Sequence, residues 1–129
     1  MSDLSIPATQ STPEIRTDLG NGKVFMQGDS YPENSYELFN QLIEWIEQFL
    51  SADSRPLHME LRLLYLNTSS IKAMMEIFDL LQAAHDRQHP VSVSWFYDAR
   101  NERVAELAEE FKEDCSFPFD ILVMERSTP

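Results

Sequence analysis

The sequence predicts a single α/β domain: a mixed, mostly parallel sheet of about five strands with helices packed on it, in the order β-β-α-β-α-β-α-β. Three observations carry this. Stretches of period-two apolar alternation take turns with stretches of helical period. Two strands follow one another directly only where a glycine-bearing turn separates them. The chain has 129 residues with 43% hydrophobic content, which suits one compact core.

The elements follow in order. Residues 1–11 are rich in Ser, Thr, Pro and Gln and read as a flexible arm, leaving 12–126 as the domain. PEIRTDLGNGKVFMQGD reads as two short strands around the turn Gly20-Asn21-Gly22, whose residues tolerate positive φ. Asn34 or Ser35 can cap the helix YELFNQLIEWIEQFL, where Tyr36, Phe39, Ile43, Ile46 and Leu50 recur at steps of three or four. SADSRP ends that helix. LHMELRLLYLN is a strand, with Leu57, Met59, Leu61 and Leu63 alternating with polar residues. Its end, LLYL, is apolar at every position, which predicts cover by helices on both faces. SSIKAMMEIFDLLQAAHDRQ is a second helix, with Ile71, Met74, Met75, Phe78 and Leu81 inward, stopped before Pro90. VSVSWFYD is a strand, RNERVAELAEEFKED a helix and FDILVME the last strand.

Composition excludes several function classes. A formal charge of −12, from 22 acidic and 10 basic side chains, repels phosphate backbones and anionic lipid, so neither nucleic acid nor membrane is an expected partner. No run of about 18 apolar residues predicts a membrane span. MSDLSIPATQSTPE lacks the charged start and apolar stretch of a secretory signal. One cysteine, Cys115, excludes an internal disulfide and fits a reducing cytoplasm. The three glycines, at 20, 22 and 28, build neither a Walker loop nor a dinucleotide fingerprint.

Candidate chemistry is thin. His85 and His89 are four apart with Asp86 between, so on a helix they would share a face; a small metal-dependent enzyme using them is one alternative. The pair lacks a clear third ligand, so no metal or other cofactor is expected. Cys115 stands among carboxylates, which oppose a thiolate. The glutamates of AELAEEFKED fall opposite the apolar stripe and read as a solvated face. No catalytic constellation emerges, and the chain is read as a non-enzyme. Trp45, Trp95 and Tyr65 read as core or interface residues, and Met74 and Met75 as core in preference to an adaptable partner surface.

One stretch resists a bland reading. Thr68, Ser69 and Ser70 occupy a strand-to-helix junction, the end of an open α/β sheet where ligands and partners are met. A hydroxyl here can cap the helix, a role worth on the order of 1 kcal/mol. One hydroxyl suffices for that, and spacing alone leaves cap and modification target both open. A helix start tolerates added negative charge, so phosphorylation would alter docking without unfolding the domain.

MQGDSYPENSYELF, LLYLNTSSIKAMM and RNERVAELAEEFKEDCSFPF closely resemble the SiaC family of bacterial regulatory phosphoproteins, over about residues 5–125. The family is similar in layout to STAS-type anti-sigma-factor antagonists, a function that stands as an alternative. NTSSIK departs from the usual STAS motif, lacking an aspartate before the hydroxyl and a glycine soon after. The resemblance implies a partner switch. A SiaB-like kinase phosphorylates a threonine whose position in the family motif falls on Thr68, with Ser69 and Ser70 as alternatives. A SiaA-like, PP2C-like phosphatase removes the phosphate. The unmodified form binds and activates a SiaD-like diguanylate cyclase, raising cyclic di-GMP and promoting aggregation and biofilm formation. Thr68, Ser69, Ser70 and Lys72 are the residues expected to meet partners.

Overall fold

A computed structural model of the protein describes residues 2–52 and 54–124. Its elements are β1 (Ser5–Ile6), β2 (Glu14–Asp18), β3 (Lys23–Ser30), α1 (Ser35–Ala52), β4 (Leu57–Leu66), α2 (Thr68–Asp86), β5 (Val91–Tyr97), α3 (Glu102–Glu113) and β6 (Phe119–Val123). Asp53, read from sequence as part of a helix-ending turn, and Glu125 and Arg126, at the expected end of the last strand and of the domain, lie outside the described residues.

The strands form one six-stranded sheet in sequence order. β1, β2 and β3 pair antiparallel, and β3 through β6 run parallel. The expected count was about five; the sixth is β1, inside the stretch read as an arm. Two residues are too short to show a period. The strand pairs with β2, and Asp3 just before it ties the segment down: its Oδ1 accepts from Thr17 Oγ1 at 2.9 Å and from the Leu19 amide at 2.8 Å. The turn after β2 needs its glycine, since Gly22 has φ +62° and a Cβ there would collide with the Pro56 carbonyl oxygen.

Because the parallel strands step across the sheet in one direction, right-handed crossovers put all three helices on the same face. Burial agrees. Ile15, Val24, Met26, Leu57, Met59, Leu61, Val91, Val93, Trp95 and Phe119 point into the helical layer and are buried. Their alternates, among them Phe25, His58, Glu60, Arg62, Ser94 and Asp120, are not. This corrects the expectation that β4 is covered on both sides. The open face is kept polar: Arg16 lies 4.5 Å from the centre of the Phe25 ring, and Arg62 lies 4.6 Å from that of Phe96. His58 Nδ1 and Ser92 Oγ share a 2.6 Å hydrogen bond, and partial burial pushes the imidazole pKa down.

The core joins all three helices to the sheet. Trp95 stacks on Phe111 at 5.8 Å, and Phe78 meets Phe111 and Phe119 edge-on at 5.0 and 5.4 Å. In α1 the stripe Phe39, Ile43, Ile46 and Leu50 is buried as expected, with Leu42, Trp45 and Phe49 widening it. Tyr36, on the same stripe, is 75% exposed: the periodic pattern outruns the surface that covers it. In α2, Met74 is buried but Met75 is 49% exposed, correcting the expectation that both are core. Successive helical residues point about 100° apart, so a neighbouring pair straddles the edge of the buried stripe.

Candidate functional site: the start of the second helix

The junction between β4 and α2 is shaped first by a bulge. Gly28 pairs with Leu63 but Asp29 pairs with Tyr65, leaving Leu64 as an extra residue. The bulge inverts the alternation that follows it. Leu64 and Tyr65 are therefore exposed in succession, and Leu66 returns to the core. Gly28, at φ +120°, supplies the backbone that the partner strand needs there. The Leu64 carbonyl accepts a 2.9 Å hydrogen bond from Asn101 Nδ2, which ties the bulge to the start of α3.

Next comes the cap. Asn67 Oδ1 accepts from the Ser70 amide at 2.9 Å and from Ser69 Oγ at 3.2 Å, and the Asn67 backbone is extended. None of the three hydroxyls caps the helix; the residue before them does, and α2 begins at Thr68. Asparagine ranks with serine and above threonine for this role. The Asn67 amide also donates to the Ser30 carbonyl at 2.9 Å, locking the helix start to the end of β3.

The three hydroxyls then part company. Ser70 is fully buried. Its Oγ donates to the Ser30 carbonyl at 3.1 Å and lies 2.8 Å from Ser30 Oγ. With its one proton given to the carbonyl, Ser70 Oγ is the acceptor in the second bond. An enzyme cannot reach that oxygen without opening the core. Ser69 is exposed and leans back on the cap. Thr68 is exposed, and among the described residues its hydroxyl has no hydrogen-bond partner. Lys72 is also exposed, one helical turn further on.

The surroundings suit protein contact. The Tyr31 and Tyr65 rings meet edge-on at 6.0 Å, and both residues are exposed. Thr68 and Met75 are seven residues apart, two turns along one helical face. Two grooves flank α2. One of about 390 Å³, against α1, is lined by Tyr36, Phe39, Ile43, Ser69, Lys72 and Glu76 among others. Another of about 320 Å³, against α3, has Leu64, Tyr65, Ile71, Arg103, Val104 and Leu107 in its walls. Exposed apolar side chains at a groove rim are a usual mark of an interaction surface.

Other sequence candidates are placed elsewhere. His85 and His89 do not share a helical face: α2 ends at Asp86, and Gln88 turns the chain with φ 69°. His85 packs on Phe117 with ring centres 6.3 Å apart, and His89 Nε2 donates to the Arg55 carbonyl at 2.8 Å. Among the described residues no three His, Cys, Asp or Glu side chains gather as a metal site. The Cys115 thiol is pushed up to about 11, first by burial and then by Asp114 and Asp79, which disfavours a thiolate nucleophile. Sequence reasoning passed over Asn67, Ser30 and Asn101. Asn67 and Asn101 had a readable signal, an asparagine directly before a helical period; the bonds of Ser30 to Ser70 and of Asn101 to Leu64 act across 40 and 37 residues and left none.

The family described as SiaC family regulatory phosphoprotein matches residues 6–124. An uncharacterised protein of Pseudomonas aeruginosa (strain UCBPP-PA14) is 69% identical over 121 residues, 94% of this chain and 96% of that one. The crystal structure of apo-SiaC from Pseudomonas aeruginosa superposes with a TM-score of 0.91 at 67% identity, covering 95% of this chain and 99% of the other. A chain in the crystal structure of the diguanylate cyclase SiaD in complex with its activator SiaC, from the same organism, superposes with a TM-score of 0.92 at 67% identity, covering 95% and 100%.

Proposed function

The chain belongs to the SiaC family of regulatory phosphoproteins, and on that footing we propose that it is a non-enzymatic partner switch acting on a diguanylate cyclase. The form with a free Thr68 hydroxyl binds the cyclase and activates it, so cyclic di-GMP rises. A dedicated kinase transfers the γ-phosphoryl group of ATP to Thr68 Oγ1, with ADP leaving and the hydroxyl proton passing to a base on the kinase. A PP2C-like phosphatase hydrolyses the phosphate ester to return the hydroxyl and inorganic phosphate. The exchange takes place in the cytoplasm, where ATP and GTP are supplied.

The observation that carries this reading is the contrast among the three hydroxyls. Ser70 is sealed in the core and Ser69 rests on the cap, whereas Thr68 stands exposed at the first helical position. The complex of the 67%-identical relative with SiaD supports the choice of partner class. Charge supplies the mechanism. A phosphate adds about −2 charges at the sheet end where Tyr65 and Tyr31 are exposed, on the helical face that also carries Met75, side chains fit for a desolvated contact. Burying a dianion there without matched cations costs several kcal/mol, and about 1.4 kcal/mol is already tenfold in affinity. The helix itself survives, because its first turn favours negative charge.

The test uses purified protein with and without phosphate at residue 68, titrated into the cyclase while cyclic di-GMP production is followed. The bare form is expected to bind and stimulate, and the modified form to do neither. Equal stimulation by both forms would end this reading.

A further inference from the structure

We propose that Lys72 is the second half of the switch: a free cation in the bare protein, available to a carboxylate of the docked partner, that the phosphate on Thr68 captures. Phosphorylation then removes a positive contact as well as adding a negative one. This rests on the proposed function and adds a residue and a partner chemistry to it.

Three features converge on Lys72. First, spacing: Thr68 and Lys72 are at i and i+4 of α2, so they are neighbours on one helical face. The order is the favourable one, with the acidic member nearer the helix N-terminus. Second, availability: Lys72 is exposed and makes no ion pair among the described residues, and it is the one Lys or Arg in α2. Third, position: among the described residues it is the lone cation lining the α1–α2 groove, where Glu33 and Glu76 also stand. In a chain with a net charge of −12, an unpaired cation on a contact surface is the feature that selects an acidic side chain on the partner. A dianion one turn away competes for the same ammonium group, and as a covalent neighbour it wins by effective concentration.

The experiment installs phosphothreonine at 68 during translation, in the wild-type chain and in Lys72→Met, so it does not depend on a kinase. Phosphorus NMR reads the second pKa of the phosphate. In Lys72→Met it is expected to rise by about 0.3 unit, the size of an exposed i,i+4 ion pair. Cyclase affinity is then measured for all four forms. Lys72→Met alone is expected to weaken binding about three- to tenfold. Phosphorylation is expected to cost less in Lys72→Met than in the wild type, by that same factor, because the cation it would capture is already gone. Lys72→Arg should restore most of both effects.

An unchanged phosphate pKa overturns the capture. An equal fold loss on phosphorylation with and without Lys72 overturns the withdrawal. If no form binds the cyclase, the proposed function falls and the withdrawal with it, while the phosphate titration still decides whether Lys72 and the phosphate meet.

Discussion

α2 and α3 start alike and differ in the residue that follows the cap. Asn67 and Asn101 each follow a parallel strand or its loop, and each accepts a first-turn amide, from Ser70 at 2.9 Å and Val104 at 3.2 Å. The first residue of α3 is Glu102, an acid; the first residue of α2 is Thr68, a neutral alcohol. Four residues on, α3 carries another acid, Glu106, where α2 carries Lys72. The fold already holds a full negative charge at the first position of a capped helix, so charging Thr68 is structurally ordinary. What sets α2 apart is its setting: Tyr31, Tyr65 and Met75 are exposed around it, and Ser70 roots it in the core. The same event at α3 would add one acid to a surface already crowded with them.

The largest difference between the two helix starts is expected at Thr68. Thr68→Ala is expected to abolish labelling by the kinase with ATP while leaving cyclase activation intact, as read by phosphopeptide mass spectrometry and cyclic di-GMP yield; full labelling of the alanine variant would move the site to Ser69. Phosphate at 68 should weaken cyclase binding by well over tenfold by calorimetry.

Next in size is the root of α2. Ser70→Ala leaves the Ser30 hydroxyl buried without its partner and should cost about 1–2 kcal/mol in denaturant unfolding. Ser69→Ala, at an exposed site, should stay within about 0.5 kcal/mol. Equal costs would mean that the buried pair does not anchor the helix. The two caps come third: Asn67→Ala and Asn101→Ala should each lose about 1 kcal/mol. Asn67→Ala should also disturb cyclase binding, since Asn67 ties the helix start to Ser30 and to the Tyr31 loop.

The smallest effect is the sharpest check on the analogy with α3. Thr68→Glu copies Glu102 and should leave stability unchanged or raise it by about 0.3–0.5 kcal/mol, while weakening cyclase binding less than phosphate does. A marked fall in melting temperature would show that α2 does not tolerate charge as α3 does.

Much of this was legible in the chain, and the failures have physical causes. The cluster Thr68, Ser69 and Ser70 stood out because three hydroxyls in a row exceed what one cap needs, and the resemblance to the family pointed to Thr68 within it. Asn67 was readable as the cap by residue type but was masked by those same hydroxyls. The two-sided cover expected for LLYL failed because a bulge at Leu64 imitates a fully buried run: it places two successive residues outside and the next inside. Met75 and Tyr36 failed because a periodic stripe gives direction but not the extent of the surface opposite it.

From sequence alone came the element order, the helical and extended periods, the exclusion of nucleotide loops and disulfides, and the junction that carries the hydroxyls. These depend on near neighbours along the chain, where spacing and residue type act directly. Tertiary structure alone decided that all helices share one face, that Ser70 is sealed by Ser30 from 40 residues away, and that Thr68 is left standing in the open beside Lys72. Accessibility is set by what distant segments cover, and no local pattern records that.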